Sequence, residues 1–155
     1  MQDKFIKMAI DLASENVKSG NGGPFGAVIV KDGEIVATGV NTVTTSNDPT
    51  AHAEVNAIRN ACAELNNFQL DGCEIYSSCE PCPMCLGAIY WARADKLYFA
   101  ATKVDAANAN FDDSFIYKEI DLPIGERRLI TIPINHKDKL QPFKLWNSFS
   151  NKTAY

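Results

Sequence analysis

Two short segments constrain the fold of this chain more than anything else in it: His52-Ala53-Glu54 and, further along, Pro81-Cys82-Pro83-Met84-Cys85. Together they supply one imidazole and two thiolates, a donor set suited to zinc, and a carboxylate beside them that zinc does not need. Three protein donors leave one tetrahedral position for water, which separates a catalytic zinc site from a closed structural one. The chain therefore has to bring both segments to a single point.

Hydrophobic spacing places these segments on local structure. Phe5, Ile6, Ala9, Ile10, Leu12, Ala13 and Val17 recur at helical intervals and predict an amphipathic helix within residues 1–19. Residues 20–24, rich in glycine and ending in proline, break it. Residues 25–31 and 34–39 flank Asp32-Gly33, a two-residue hairpin turn. Polar residues 41–49 read as a loop, and Thr50 is a candidate N-cap for a helix from about Ala51 to Leu65. Residues 74–78 read as a third strand, 82–92 as a helix and 96–100 as a fourth strand. Short helical pieces are expected within 102–125, a fifth strand over 129–134, and a last helix over 140–149 before a short tail. A hairpin followed by strand–helix alternation, with no repeat or linker, predicts an α/β fold. Its form is a single three-layer α/β/α sandwich with a mixed central sheet, one domain over residues 1–155.

Both donor segments then fall at helix starts, where the first N–H groups lack partners and the macrodipole is positive. These effects favour thiolate at Cys82 and Cys85. The two cysteines are three positions apart, so on a first turn they share a face and can grip one ion. Pro81 costs little at a helix entrance and fixes the approach of the chain. His52 and Glu54 lie about 200° apart on an ideal helix, yet at the first turn both can point over its end. Zn²⁺ with two thiolates and a neutral imidazole is formally neutral. A water in the fourth position can lose a proton near neutral pH, and Glu54 in a partly desolvated pocket is placed to take it.

Composition narrows the partners. The 155 residues are 46% hydrophobic and 22% charged, with no apolar run near the ~18 residues of a membrane span. Asp3, Lys4, Lys7, Asp11 and Glu15 interrupt the N-terminal helix, unlike a signal peptide. Five cysteines, an odd number, argue against a disulfide framework and suit a reducing cytoplasm, the expected location. Net charge is −4, and the densest basic cluster is Arg127-Arg128. Neither nucleic acid nor membrane is expected as a partner; a small uncharged molecule fits better.

Several residues admit two readings. Cys79 could supply a third thiolate that closes a structural site, which would leave Glu54 unexplained, or it is a small buried residue at a strand end. Cys62 and Cys73 read as ordinary thiols, and His136 as a solvated surface histidine. Asn41 is either a turn residue or an amide that hydrogen-bonds a ligand. Phe25 and Trp91 are either core residues or stacking faces for a planar ligand. Asp112 and Asp113 suit a helix cap and first turn. Tyr155, at the end of a tail, would ordinarily be disordered.

The pattern H-x-E…P-C-x-x-C is shared with zinc-dependent nucleobase deaminases. The segments beginning at Asn21, at Ser46 and at Ser78, together with Phe111-Asp112-Asp113-Ser114-Phe115-Ile116-Tyr117 and the aromatic C-terminus, resemble bacterial guanine deaminases of the cytidine deaminase-like superfamily. That resemblance spans nearly the whole chain. The zinc motif indicates only the superfamily; the segment from Phe111 and the terminal tyrosine carry the narrower likeness. It implies hydrolysis of guanine to xanthine and ammonia, with one Zn²⁺ per subunit on His52, Cys82 and Cys85. Glu54 would shuttle protons as hydroxide attacks an amidine-type ring carbon and ammonia leaves. The same resemblance implies Asn41 and the Ala53 backbone as polar contacts, and Phe25 and Trp91 around the purine plane. Asp113 would contact the base or assist proton transfer. Tyr155, on a tail of about residues 150–155, would close the pocket, as in a homodimer with exchanged tails. Related amine hydrolases acting on guanosine, cytosine, a triazine or adenosine in transfer RNA are the alternatives.

Overall fold

The computed structural model describes residues 2–155; Met1, expected at the start of the first helix, lies outside the described residues. The chain divides into two units, one ending at Ile116 and the other comprising Tyr117–Tyr155. In the first, α1 (Gln2–Lys18) precedes the hairpin of β1 (Gly26–Lys31) and β2 (Glu34–Val40). The one-turn α2 (Val43–Ser46) and α3 (Ala53–Glu64) lead to β3 (Cys73–Cys79), α4 (Pro83–Ala92), β4 (Lys96–Ala101) and α5 (Lys103–Asn108). Helix α6 (Ser114–Asp121) begins there and continues into the second unit.

The hairpin forms where the sequence places it. Asp32 and Gly33 both adopt positive φ, 52° and 81°, as the tight turn matching strand twist requires. Sheet order is β2-β1-β3-β4, antiparallel except for the β3–β4 pair, which α4 connects. The sheet is mixed, as expected. Strand β1 is central and covered on both faces, so it reads as an apolar run from Gly26 to Val30, ending in Lys31. Its residues nevertheless alternate in what they touch. Val28 and Val30, with Tyr76, pack on Phe5 and Ala9 of α1. Ala27 and Ile29, with Ile75, pack on Ala53, Ala57 and Ala61 of α3 and on Ile89 and Ala92 of α4. Those two cores make the three layers.

Helix α3 approaches the sheet closely because small residues face each other. A Cβ at Gly39 would stand 2.3 Å from the Ala53 carbonyl oxygen and 2.4 Å from the Ala57 nitrogen, both backbone atoms that cannot swing aside. Gly39→Ala is therefore expected to destabilise the fold by about 2–3 kcal/mol, the cost of overpacking a filled interface. Thermal unfolding should register a fall in Tm of roughly 5–10 °C; an unchanged Tm would show that α3 can move away freely.

Two local expectations need correction. Helix α3 starts at Ala53 with His52 as its N-cap, not after Thr50. Asp48 Oδ1 accepts from Thr50 N (2.8 Å) and Thr50 Oγ1 (2.7 Å), so a turn closed by Asp48 engages the threonine first. The loop over 41–49 also contains α2, ended by Asn47 in the left-handed conformation.

The second unit holds the rest of α6, a 3₁₀ turn (Ile124–Glu126) and α7 (Gln141–Ser148). No strand forms over residues 129–134, contrary to expectation. A strand needs a neighbour to pair its N–H and C=O groups, and no strand lies among the described residues of this unit. Leu129, Ile130, Ile132 and Ile134 are all strongly exposed. Among the described residues, no helix is long and apolar enough to cross a membrane.

Candidate active site and metal centre

Two helix starts meet beyond the carboxyl end of β3. His52 caps α3 and Cys82 caps α4, both in extended backbone conformation, and Pro83 occupies the first turn of α4. The His52 Nδ1 atom lies 3.6 Å from Cys82 Sγ and 3.4 Å from Cys85 Sγ. Bonds of about 2.3 Å to sulfur and 2.0–2.1 Å to nitrogen, at tetrahedral angles, separate N and S by about 3.5 Å. The donor atoms of all three residues lie within 4.8 Å of one another, so the set fits one zinc ion. Cys79 lies outside this group; its Sγ points to the Thr102 carbonyl oxygen at 3.6 Å, and burial raises its thiol pKa to about 11. The reading of a structural site closed by Cys79 is not supported by this geometry.

The electrostatics match a cation-binding set. A hydrogen bond from Cys85, helped by His52, pulls the Cys82 thiol down to about 4 against the cost of burial. Its bond to Cys82, with burial, pushes the Cys85 thiol up. One negative charge is thus readily held on the pair, and a divalent cation is what allows two thiolates side by side.

Glu54 stands beside this set without joining it. It is 6% exposed, accepts from Ser77 Oγ (3.4 Å) and meets the Cys85 thiol at 3.4 Å. Burial above all raises its carboxyl above the ordinary glutamate range. Register explains Ser77: it follows Ile75 by two on β3 and so faces α3, the helix that carries Glu54. Two consecutive serines in a strand whose other residues, apart from Glu74, are apolar are the available signal, since a buried hydroxyl needs a partner. Ser78, on the other face, accepts from Gly26 N at 3.1 Å.

A cavity of about 560 Å³ opens over these groups. Of the residues expected as metal ligands, acid–base or substrate contacts, Phe25, Asn41, His52, Glu54, Cys82 and Asp113 line it together, with Cys79 and Asp112 beside them. Phe111, not anticipated as a wall, also lines it and meets the Phe25 ring edge-on, with centroids 5.0 Å apart. Burial, followed by the negative charge of Cys82, raises the Asp113 carboxyl. Ala53 is fully buried in the core at the first position of α3. Trp91 stands on α4, 64% exposed, with the Arg93 guanidinium 5.8 Å from its ring, and is not part of the lining. Tyr155 belongs to the second unit and is exposed.

Residues 1–101 match the family model for the cytidine and deoxycytidylate deaminase zinc-binding region. The chain belongs to this deaminase family. Among its relatives, guanine deaminase of Bacillus subtilis (strain 168) is 60% identical over 99% of this chain and 98% of its own length. The X-ray structure of guanine deaminase from Bacillus subtilis superposes with a TM-score of 0.97 over 99% of this chain and 98% of that one. A tRNA-specific adenosine deaminase of Aquifex aeolicus (strain VF5) is 44% identical over 64% of this chain and 66% of its own. A structure of guanine deaminase from Nitrosomonas europaea gives a TM-score of 0.67 at 31% identity, over 84% of this chain and 66% of that one. This deaminase therefore has the fold and the zinc-binding region anticipated from its motifs, with His52, Cys82 and Cys85 positioned to bind the ion.

Proposed function

We propose that this protein hydrolyses the free base guanine to xanthine and ammonia, with Glu54 as its acid–base. One observation carries the choice of substrate within the family. The likeness to a guanine deaminase runs over 99% of the chain, whereas that to a tRNA-specific adenosine deaminase spans 64%. The acidic balance, −4 overall, also suits a free base better than a polyanion.

His52, Cys82 and Cys85 would hold the ion, one per subunit. Zinc, when bound, supplies the Lewis acidity that brings ionisation of water near neutral pH. The carboxylate of Glu54 would receive the proton from water, pass it to a purine ring nitrogen, and return a proton to the departing amine. Its raised pKa, from burial, suits a group that must change charge near neutral pH. Asn41 and the Ala53 backbone would contact the base, Phe25 would flank its plane, and Asp113 would accept from guanine N–H groups; Trp91, outside this chain's cavity lining, would flank the plane from the other copy of a dimer. Tyr155 and the last residues, about 150–155, would close over the pocket and exclude water.

The whole chain would act as one catalytic domain in a homodimer, with the tails exchanged between copies. Apolar residues left in water support an assembly: Leu129 to Ile134 in the second unit, and Tyr90 and Trp91 on α4. Five free cysteines suit a reducing cytoplasm.

Ammonia release across a substrate panel tests the assignment. Guanine should exceed guanosine, cytosine, a triazine and tRNA in kcat/KM by about 10²-fold or more, the discrimination a site with matched polar groups gives. A nucleoside preference would overturn the free-base assignment. Tight RNA binding that weakens steeply with salt would instead favour a tRNA substrate.

A further inference from the structure

Asn16 lies on α1, is 4% exposed and is not part of the cavity lining. Its two side-chain N–H groups reach two different stretches of chain. Nδ2 donates to the Gly23 carbonyl oxygen (2.8 Å) and to the Asn41 carbonyl oxygen (2.8 Å), while Oδ1 accepts from Asn21 Nδ2 (2.8 Å). The segment from Asn21 to Phe25 is thereby fastened to residue 41. Gly22 shows how tight the junction is, since a Cβ there would stand 2.0 Å from the Asn41 carbonyl oxygen. Further backbone bonds continue the tie, Asn41 N to the Phe25 carbonyl at 3.1 Å and Phe25 N to the Gly23 carbonyl at 2.8 Å.

This junction fixes which way the Asn41 amide faces. Asn41 Oδ1 accepts from Gly23 N (3.2 Å) and Val43 N (3.3 Å). Backbone N–H groups only donate, so oxygen has to occupy that end of the amide. Among the described residues Asn41 Nδ2 has no hydrogen-bond partner, and Asn41 lines the cavity. The side chain can therefore offer a ligand an N–H donor and no acceptor. Rotating the amide would set its NH₂ against the N–H of Gly23, whose position Asn16 holds.

We propose that Asn16 is a positioning residue that aims the Asn41 NH₂ at a ring-nitrogen acceptor of the base, so that selectivity at that edge is set from α1. This rests on the guanine reading of the same cavity. The chemistry it selects is a planar heterocycle with a bare, lone-pair-bearing nitrogen facing Asn41. A base carrying N–H or C–H there is disfavoured.

The test pairs variants with base analogues. In 3-deazaguanine and 7-deazaguanine a C–H replaces one ring nitrogen. With the parent enzyme, the analogue lacking the nitrogen that Asn41 contacts should lose kcat/KM by about 10-fold or more. Asn41→Ala should abolish that penalty and so identify the contact. Asn16→Ala, and separately Asn16→Ser, whose single hydroxyl hydrogen can serve only one of the two carbonyls, should abolish the same penalty. Both should raise KM for guanine about 10-fold or more while kcat stays within about 3-fold and zinc remains one per subunit. Asn21→Ala, which removes the bond onto Asn16 Oδ1 and a long contact from Thr45 Oγ1 (3.5 Å) but leaves both carbonyl ties of Asn16 Nδ2 in place, should resemble the parent. A folded, zinc-loaded Asn16 variant that retains the full analogue penalty overturns the proposal. So does a loss shared equally by all substrates and carried in kcat. If neither variant folds, side-chain amide exchange in the ¹⁵N-labelled parent decides. Slow exchange at Asn16 Nδ2, with Asn41 Nδ2 resonances shifting when guanine analogue is added, supports the role; rapid exchange at Asn16 overturns it. A parent enzyme inactive on guanine refutes the functional reading instead, and the Asn16 variants are then compared on the base it does accept.

Discussion

Replacing Glu54 by alanine is expected to leave zinc bound and lower kcat for guanine by about 10³–10⁴-fold, the range that a positioned acid–base supplies. The metal should stay because the donor set is His52, Cys82 and Cys85, and Glu54 is no member of it. Turnover should fall because no other described carboxylate shares its place, buried between Ser77 and Cys85 beside the donors. Glu54→Gln sharpens the expectation. It keeps the volume and the Ser77 contact but cannot shuttle a proton, so the loss should be of similar size. Metal analysis and steady-state kinetics on the same preparations check both halves. A zinc-loaded Glu54→Gln enzyme with parental kcat would remove the glutamate from the mechanism, and an enzyme that also lost its zinc would make it a ligand.

Replacing Cys82 by serine is expected to have the opposite signature, loss of metal first and of activity as a consequence. Two donors remain at His52 and Cys85, and one of two sulfur bonds is gone. With structural zinc sites worth roughly 10–16 kcal/mol in all, removal of one donor should cost on the order of 3–5 kcal/mol, about 10²–10³-fold or more in affinity. Competition with a chromophoric chelator measures this directly. Stability should follow, because an ion that binds only the native state adds to its stability in proportion to the logarithm of occupancy. The matched control is Cys79→Ser, which should keep one zinc per subunit, since its Sγ is turned to the Thr102 carbonyl. Zinc retained by the Cys82 variant and lost by the Cys79 variant would reverse the ligand assignment.

Much of this was legible in the sequence because it is local. Asp32-Gly33 dictates its own turn, and both donor segments announce helix starts by residue type and spacing. The exact start of α3 is not legible in the sequence, because Thr50 and His52 are both acceptable caps and Asp48 decides between them through a turn that engages the threonine. The run from Leu129 to Ile134 has strand-forming residues, but propensity alone cannot provide a pairing edge. Ser77 and Asn16 are not legible for another reason. Their roles depend on partners 23 and 25 positions away, and no periodicity in a single sequence reports which carbonyl or carboxylate a buried polar group will meet.

The alanine face of α3, seated against Gly39 with no clearance, has a consequence for changing what this enzyme accepts. Histidine and glutamate ride on the first turn of a helix that has no slack, so reshaping its inner side would detune catalysis before it enlarged anything. Room for a bulkier heterocycle is better sought among the walls contributed by Val43, Thr44 and Phe111, which border the same space from outside that helix. A library confined to those positions would alter specificity while leaving the reactive corner in its original setting.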